Sequence, residues 1–257
     1  MIEFTYDPPM GPPVILYEDA QVLVVVKPAG LLSVPGKLEG RQDCLETRLR
    51  HAYPNSLLVH RLDCDTSGVM IFARSKAAQG FLGQEFEKRR ARKTYIAIVS
   101  GQVAGDAGHI DLPLGSDWPN RPRQMVDHDN GRPAQTDWQV IDRHADSTTL
   151  RLHPLTGRSH QLRVHLLSLG HPIQGDPIYD PTRAKDYPRL MLHAETLSLH
   201  HPGTGQWVTY GSPCPIHFGK ISPPEAPTPP PEPPAGIFAA LCSKRTRKSE
   251  SLARLIG

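Results

Sequence analysis

Five consecutive apolar residues, Val22-Leu23-Val24-Val25-Val26, constrain this chain more than any other stretch. A β-branched run without alternation reads as a strand buried at the centre of a sheet. A partner strand, Val14 to Tyr17, precedes it across a turn at Glu18-Asp19. Pro28-Ala29-Gly30 and Val34-Pro35-Gly36 then mark a loop. Leu57 to Val59 and Val69 to Ala73 read as two more strands, and His60-Arg61-Leu62-Asp63 lies at the end of the first, closed by Thr66-Ser67-Gly68. A carboxylate held there by rigid neighbours suits chemistry that needs a fixed nucleophile or base. It equally suits a strand-end Asp that accepts backbone hydrogen bonds across a turn.

The remaining elements follow from spacing and punctuation. Asp43 is placed to cap a helix running to about His51, with Glu46 in capping-box position. Ala77, Phe81, Leu82 and Phe86 line one face of a helix over 76–90, which ends in the basic run Lys88 to Lys93. Thr94 to Val99, containing Tyr95, reads as a strand. Residues 101–130 are rich in glycine and proline and read as loop, including Asp117-Trp118-Pro119-Asn120-Arg121-Pro122-Arg123. Gln135 to Ile141 pairs with Thr148 to His153. Ser159 is placed to cap a helix from His160 to Leu169, with Gly170 ending it. Leu190 to Leu199 and Gln206 to Tyr210 form a last strand pair. Residues 1–13 are proline-rich and are expected to lie over the body as an arm.

Composition enters at the C-terminal end. Pro223 to Pro234 holds eight of the 27 prolines and reads as a linker. Residues 235–257 carry five basic side chains and one acidic one, whereas the rest of the chain has 24 and 25. The tail is expected to be disordered, and any nucleic-acid surface on the body must be a local patch. No apolar run approaches the roughly 20 residues of a membrane helix, and the N-terminus lacks the pattern of a signal peptide. Four widely spaced cysteines, Cys44, Cys64, Cys214 and Cys242, fit a reducing cytoplasm better than a disulfide framework or a zinc site.

Hydrolase signatures are missing: there is no GxSxG, HExxH or phosphate-cradling glycine loop. His160 and His165, five apart on a helix, splay rather than converge on a metal, and no metal site is expected. A more coherent set is Asp63, Tyr95 and Arg163. An acid, a flat ring and a guanidinium can together hold an unstacked base, keep the acid ionised and bind phosphate. Alone, Tyr95 could be sheet packing and Arg163 a helix-surface charge.

His60-Arg61-Leu62-Asp63 with Thr66-Ser67-Gly68, then Arg92-Lys93-Thr94-Tyr95-Ile96-Ala97, then the run Gly157 to Asp176, resemble the RluA family of pseudouridine synthases. Lys27-Pro28-Ala29-Gly30-Leu31 and Leu190-Met191-Leu192-His193-Ala194 match the same pattern, so the resemblance spans about residues 14–218. The segments at Leu32 to Gly36 and Asp117 to Pro122 look like the short branch that modifies both 23S rRNA and tRNA.

The resemblance implies an α+β catalytic domain over 1–222, with a central mixed, mainly antiparallel sheet, flanking helices and an RNA-binding cleft. It implies isomerisation of uridine to pseudouridine in a 23S rRNA loop and in the tRNA anticodon loop, by a monomer that needs no cofactor or metal. The catalytic aspartate maps onto Asp63, the active-site aromatic onto Tyr95 and the buried basic partner onto Arg163. Arg61 would fill the space left by a flipped uridine. Arg158, His160, Gln161, Arg121 and Arg123 are the further substrate-binding candidates. Rival expectations are a relative acting on other rRNA or tRNA uridines, an RNA-binding protein whose catalysis is secondary, and a metal-dependent nuclease. His60 has no role on sequence grounds.

Overall fold

The computed structural model describes residues 6–215; the proline-rich linker and basic tail expected beyond residue 222 lie outside them. Twelve strands form in chain order: β1 (Val14–Glu18), β2 (Val22–Lys27), β3 (Leu57–Leu58), β4 (Ser67–Ala73), β5 (Arg92–Ser100), β6 (Ala107–Asp111), β7 (Leu114–Ser116), β8 (Gln124–Val126), β9 (Gln135–Arg143), β10 (Ser147–Pro154), β11 (Leu192–His200) and β12 (Trp207–Gly211). Helices are α1 (Leu45–Ala52), α2 (Lys76–Glu87), α3 (Gln161–Ser168) and the single turn α4 (Pro181–Ala184). Ten strands make one sheet in the order β1-β2-β4-β11-β5-β10-β9-β6, with β12 added on β11 and β3 on β4; β7 and β8 pair separately. Every pairing is antiparallel except β4 with β11. The architecture is the α+β arrangement expected.

The apolar run at 22–26 is buried on both sides, for a visible reason. Val22 and Val24 pack with Val69 and Ile71 against Ala78 and Leu82 of α2. Leu23 and Val25 point the other way and pack with Met70 and Phe72 against Leu45 and Leu49 of α1. Each such side chain, fully buried, contributes about 1.5–3 kcal/mol relative to exposure. On the other half of the sheet, Ile96, Ile98, Leu150 and Leu152 join Leu162 and Leu166 of α3.

Several local expectations shift. The cap of α1 is Cys44, not Asp43: Cys44 and Thr47 form the reciprocal capping bonds, while Asp43 pairs with Arg48 at 2.6 Å. α3 begins at Gln161 after His160, whose left-handed backbone (φ 53°) replaces the expected Ser159 cap. Gly170 does close α3, with its own N–H on Leu167 and that of His171 on Leu166. The segment read as loop over 101–130 contains β6, β7 and β8. The N-terminal arm is held down where Arg48 donates to the carbonyls of Pro9 and Gly11, and Tyr6 bonds Asp43 and Leu32.

Candidate active site

Asp63 lies in the connection from β3 to β4, residues 59–66, which is fastened at several points. Ser33 accepts from Leu62 N–H (3.1 Å) and donates to its carbonyl (2.7 Å). The Lys27 ammonium, fully buried, donates to the carbonyls of Pro28, Leu31 and Cys64 at 2.6–2.7 Å. Burial lowers its pKa to about 8, opposed by the neighbouring negative charges. Thr66 N–H bonds the Asp63 carbonyl, closing the turn. Gly68 follows with φ 124°, and a Cβ there would sit 2.1 Å from the Ala194 carbonyl oxygen. No other residue fits the start of β4 against β11.

His60 now has a role. Its Nε2 accepts from Ile71 N–H (3.1 Å), and its ring stacks on Phe86 at 4.7 Å. Burial, then the charge of Lys93, pushes its pKa down to about 3. It is a neutral strut that ties the connection to β4 and α2.

Arg163 approaches from α3. It is 2% exposed, and its Nε and Nη2 make two parallel 2.7 Å bonds to Asp176. Asp176 is itself fully buried and also accepts from the N–H groups of Ile178 and Tyr179. The remaining nitrogen, Nη1, stands 3.6 Å from Asp63 Oδ2. Burial opposes the charge on Arg163, but Asp176 and then Asp63 outweigh it and raise its pKa. The Asp63 side chain is 29% exposed, so one carboxylate faces outward while its back meets a locked guanidinium. Tyr95, on β5 opposite Ala194 and Leu152, is raised in pKa by burial and then by the charge of Asp63. Its phenol therefore stays protonated. Tyr179 completes the surround: the Arg163 guanidinium lies 5.1 Å from its ring centroid, and its hydroxyl meets His160 Nδ1 at 2.8 Å. Burial raises its pKa to about 12.

Asp63, Tyr95 and Arg163, separated by 32 and 68 positions in sequence, thus meet at one place. The model of the RNA pseudouridylate synthase family matches residues 21–168, a span that includes all three. The chain belongs to this family. The synthase is 50% identical over 212 residues to the dual-specificity RNA pseudouridine synthase RluA of Escherichia coli (strain K12), covering 81% of this chain and 97% of that one. It is 49% identical over 209 residues to the RluA of Vibrio vulnificus (strain CMCP6), covering 79% and 84%. Among solved structures it resembles human RNA pseudouridylate synthase domain containing 1, with TM-score 0.66, 31% identity and coverage of 78% and 83%. The synthase is an RNA-modifying isomerase.

The other sequence candidates divide. Arg61 is exposed two residues before Asp63. Arg158 is partly buried, its Nε on the Pro133 carbonyl (3.1 Å), and burial and then Arg132 and Arg89 lower its pKa. Arg121 is exposed and lies over the Trp118 ring, whereas Arg123 donates to the Ile178 carbonyl and sits 5.2 Å from the Tyr179 ring centroid. Gln161 departs from expectation. It is buried, and its amide bonds Thr156, Arg158 N–H, the Gln135 carbonyl and Thr136. Its bonding is spent inside the synthase, shaping the turn that presents Arg158 and His160. Two residues escaped the sequence reading, Asp176 and Tyr179. A buried arginine demands a carboxylate partner, and the Gly175-Asp176 step was the place to look for it.

Proposed function

We propose that the synthase converts specific uridines to pseudouridine in both a 23S rRNA loop and the tRNA anticodon loop, acting as a cytoplasmic monomer. The observation that carries this reading is the partly exposed Asp63 carboxylate backed by the Arg163–Asp176 pair and flanked by Tyr95. The dual target is supported by 50% identity across 97% of the Escherichia coli relative. The free thiols of Cys44 and Cys64 are consistent with a reducing compartment.

In this reading Asp63 performs the covalent or proton-transfer step. The N1–C1′ bond of the uridine breaks, the uracil turns within the site, C5–C1′ forms, and the C5 proton is lost while N1 gains one. Arg163, 3.6 Å away, holds the carboxylate in place, which suits either attack by Asp63 or proton abstraction from the sugar. Tyr95 stacks on the uracil while it is detached. Arg61 occupies the space vacated by the flipped nucleotide, an extrusion costing a few kcal/mol. Arg158, with Arg123 and Arg121, binds phosphates, while His160 and Gln161 position the loop that carries Arg158.

The test is Asp63→Asn assayed by tritium release from C5-labelled uridine in rRNA and tRNA stem-loops. Turnover should fall below detection, with the circular dichroism spectrum and RNA binding retained. Wild-type turnover in that variant would refute the role. Pseudouridine mapping in total RNA from a deletion strain identifies the targets, and loss at sites in only one RNA class would refute dual specificity.

A further inference from the structure

The hairpin between β7 and β8 carries a feature that the chemistry at Asp63 does not use. Trp118 is 67% exposed, which for the largest apolar side chain contributes little to folding. Its single 3-10 turn is nevertheless tightly built. Asn120 Nδ2 donates to both carboxylate oxygens of Asp117 at 3.0 and 3.1 Å. Three backbone bonds, Asn120 to Asp117, Arg123 to Asn120 and Asp117 to Arg123, close the loop. The Arg121 guanidinium lies 4.0 Å from the Trp118 ring centroid, covering one face and leaving the ring otherwise open.

The hairpin is also anchored to the active site. Arg123 donates to the Ile178 carbonyl (3.0 Å), and Gln124 N–H donates to the Tyr179 hydroxyl (2.8 Å). Arg123 and Arg163 flank the same Tyr179 ring at 5.2 and 5.1 Å. The base of the hairpin is thereby tied, through Tyr179 and Arg163, to the surroundings of Asp63.

We infer that Trp118 and Arg121 form a second nucleotide subsite, which stacks an unpaired base of the substrate loop other than the target uridine. The open face of Trp118 takes the base, and Arg121 meets the phosphate beside it. The inference rests on the RNA substrate reading above and adds to it a position that the reaction itself does not require. Physical chemistry favours this occupant. Stacking accepts any base, a guanidinium beside an indole reinforces it, and a rigid platform loses little entropy on binding. A second base held at a fixed distance also helps to drive the target uridine out of its stack, because the loop must splay to satisfy both sites.

The experiment is a cycle between protein and RNA, using the full chain and stem-loop transcripts. Abasic nucleotides are placed one at a time at each loop position except the target, and KM and kcat are measured for wild type, W118A, W118F and R121A. W118A should raise KM about tenfold, with most of the change in KM rather than kcat, and W118F should restore most of it. R121A should raise KM severalfold and reduce the salt slope by about one. At one loop position the abasic substitution should weaken wild type about tenfold and leave W118A unaffected. Wild-type intrinsic fluorescence should be quenched by the RNA, and less so in W118F. Additive effects at every position, or W118A with the wild-type KM, overturn the subsite. If wild type converts neither stem-loop, the substrate reading falls and takes the subsite with it; if it converts them and the cycle is additive, only the subsite falls.

Discussion

α1 and α3 have the same length, eight residues each, and both pack on the sheet, yet they are buried by opposite means. α1 buries only Leu45 and Leu49, and its half of the sheet, β2 and β4, is apolar on both faces. α3 buries every residue from Gln161 to Leu166, three of them polar. Gln161 bonds Thr156 and Thr136, Arg163 holds Asp176, and His165 lies between Thr136 and the Leu112 carbonyl. Burial of apolar area is non-directional and tolerant, whereas buried polar groups are stable only when their geometry is met. The first half of the sheet is therefore a frame from which Asp63 is hung, and the second is an electrostatic fixture that faces it.

Breaking the ion pair should have the largest effect. Asp176→Asn leaves a buried guanidinium with only the more distant, partly exposed Asp63 carboxylate to face it and should cost about 3–5 kcal/mol in urea unfolding. The double variant Arg163→Met with Asp176→Leu should recover most of that stability yet stay inactive. A loss below about 1 kcal/mol for the single variant would mean that water reaches the pair.

The apolar half can be broken without touching charge. Leu23→Ala should cost about 2–5 kcal/mol, and because it removes no titratable group, the cost should be the same at pH 5 and pH 8. Its kcat at low temperature should be that of wild type. A kcat falling in step with stability would show that the frame does more than hold Asp63 in place.

The smallest effect is the one that couples the halves to pH. Burial holds the pKa of His60 at about 3 in the folded state, against about 6.5 for an ordinary histidine, and that of His193 at about 4. The unfolded chain therefore binds more protons between these values, so stability is complete above about 6.5 and declines as the pH falls toward 3. His60→Gln should flatten that decline, measured as urea midpoints between pH 7.5 and 5. An unchanged slope would assign the acid sensitivity elsewhere.

What could be read in the chain follows the same division. The frame was legible because Val22 to Val26 and Val69 to Ala73 announce strands by composition alone. The capping residue of α1 was misplaced by one, because Asp43 and Glu46 mimic a box that Cys44 and Thr47 actually close. β7 and β8, three residues each, are too short for alternation to register. Asp63, Tyr95 and Arg163 emerged through spaced motifs, but their support did not. His60 depends on Phe86, and Arg163 on Asp176, partners fixed only by the tertiary fold. Gln161 was read as a substrate-binding residue for the same reason, since its four partners lie on two segments that only the fold brings to it, β9 and the turn after β10.

The parallel pairing of β4 with β11 spans only two register positions, Ser67 with His193 and Gly68 with Ala194. β11 is nonetheless the strand inserted between β4 and β5, so the two halves of the sheet have no shared edge until residues 192–200 arrive. During synthesis, Asp63 and Arg163 are both made well before they can be neighbours. The growing chain must carry β4 and β5 as open strand edges, a state prone to mispairing, until the last-made long strand closes the seam. The strand that joins the halves is thus the one that brings the Asp63 connection beside β5 and its Tyr95.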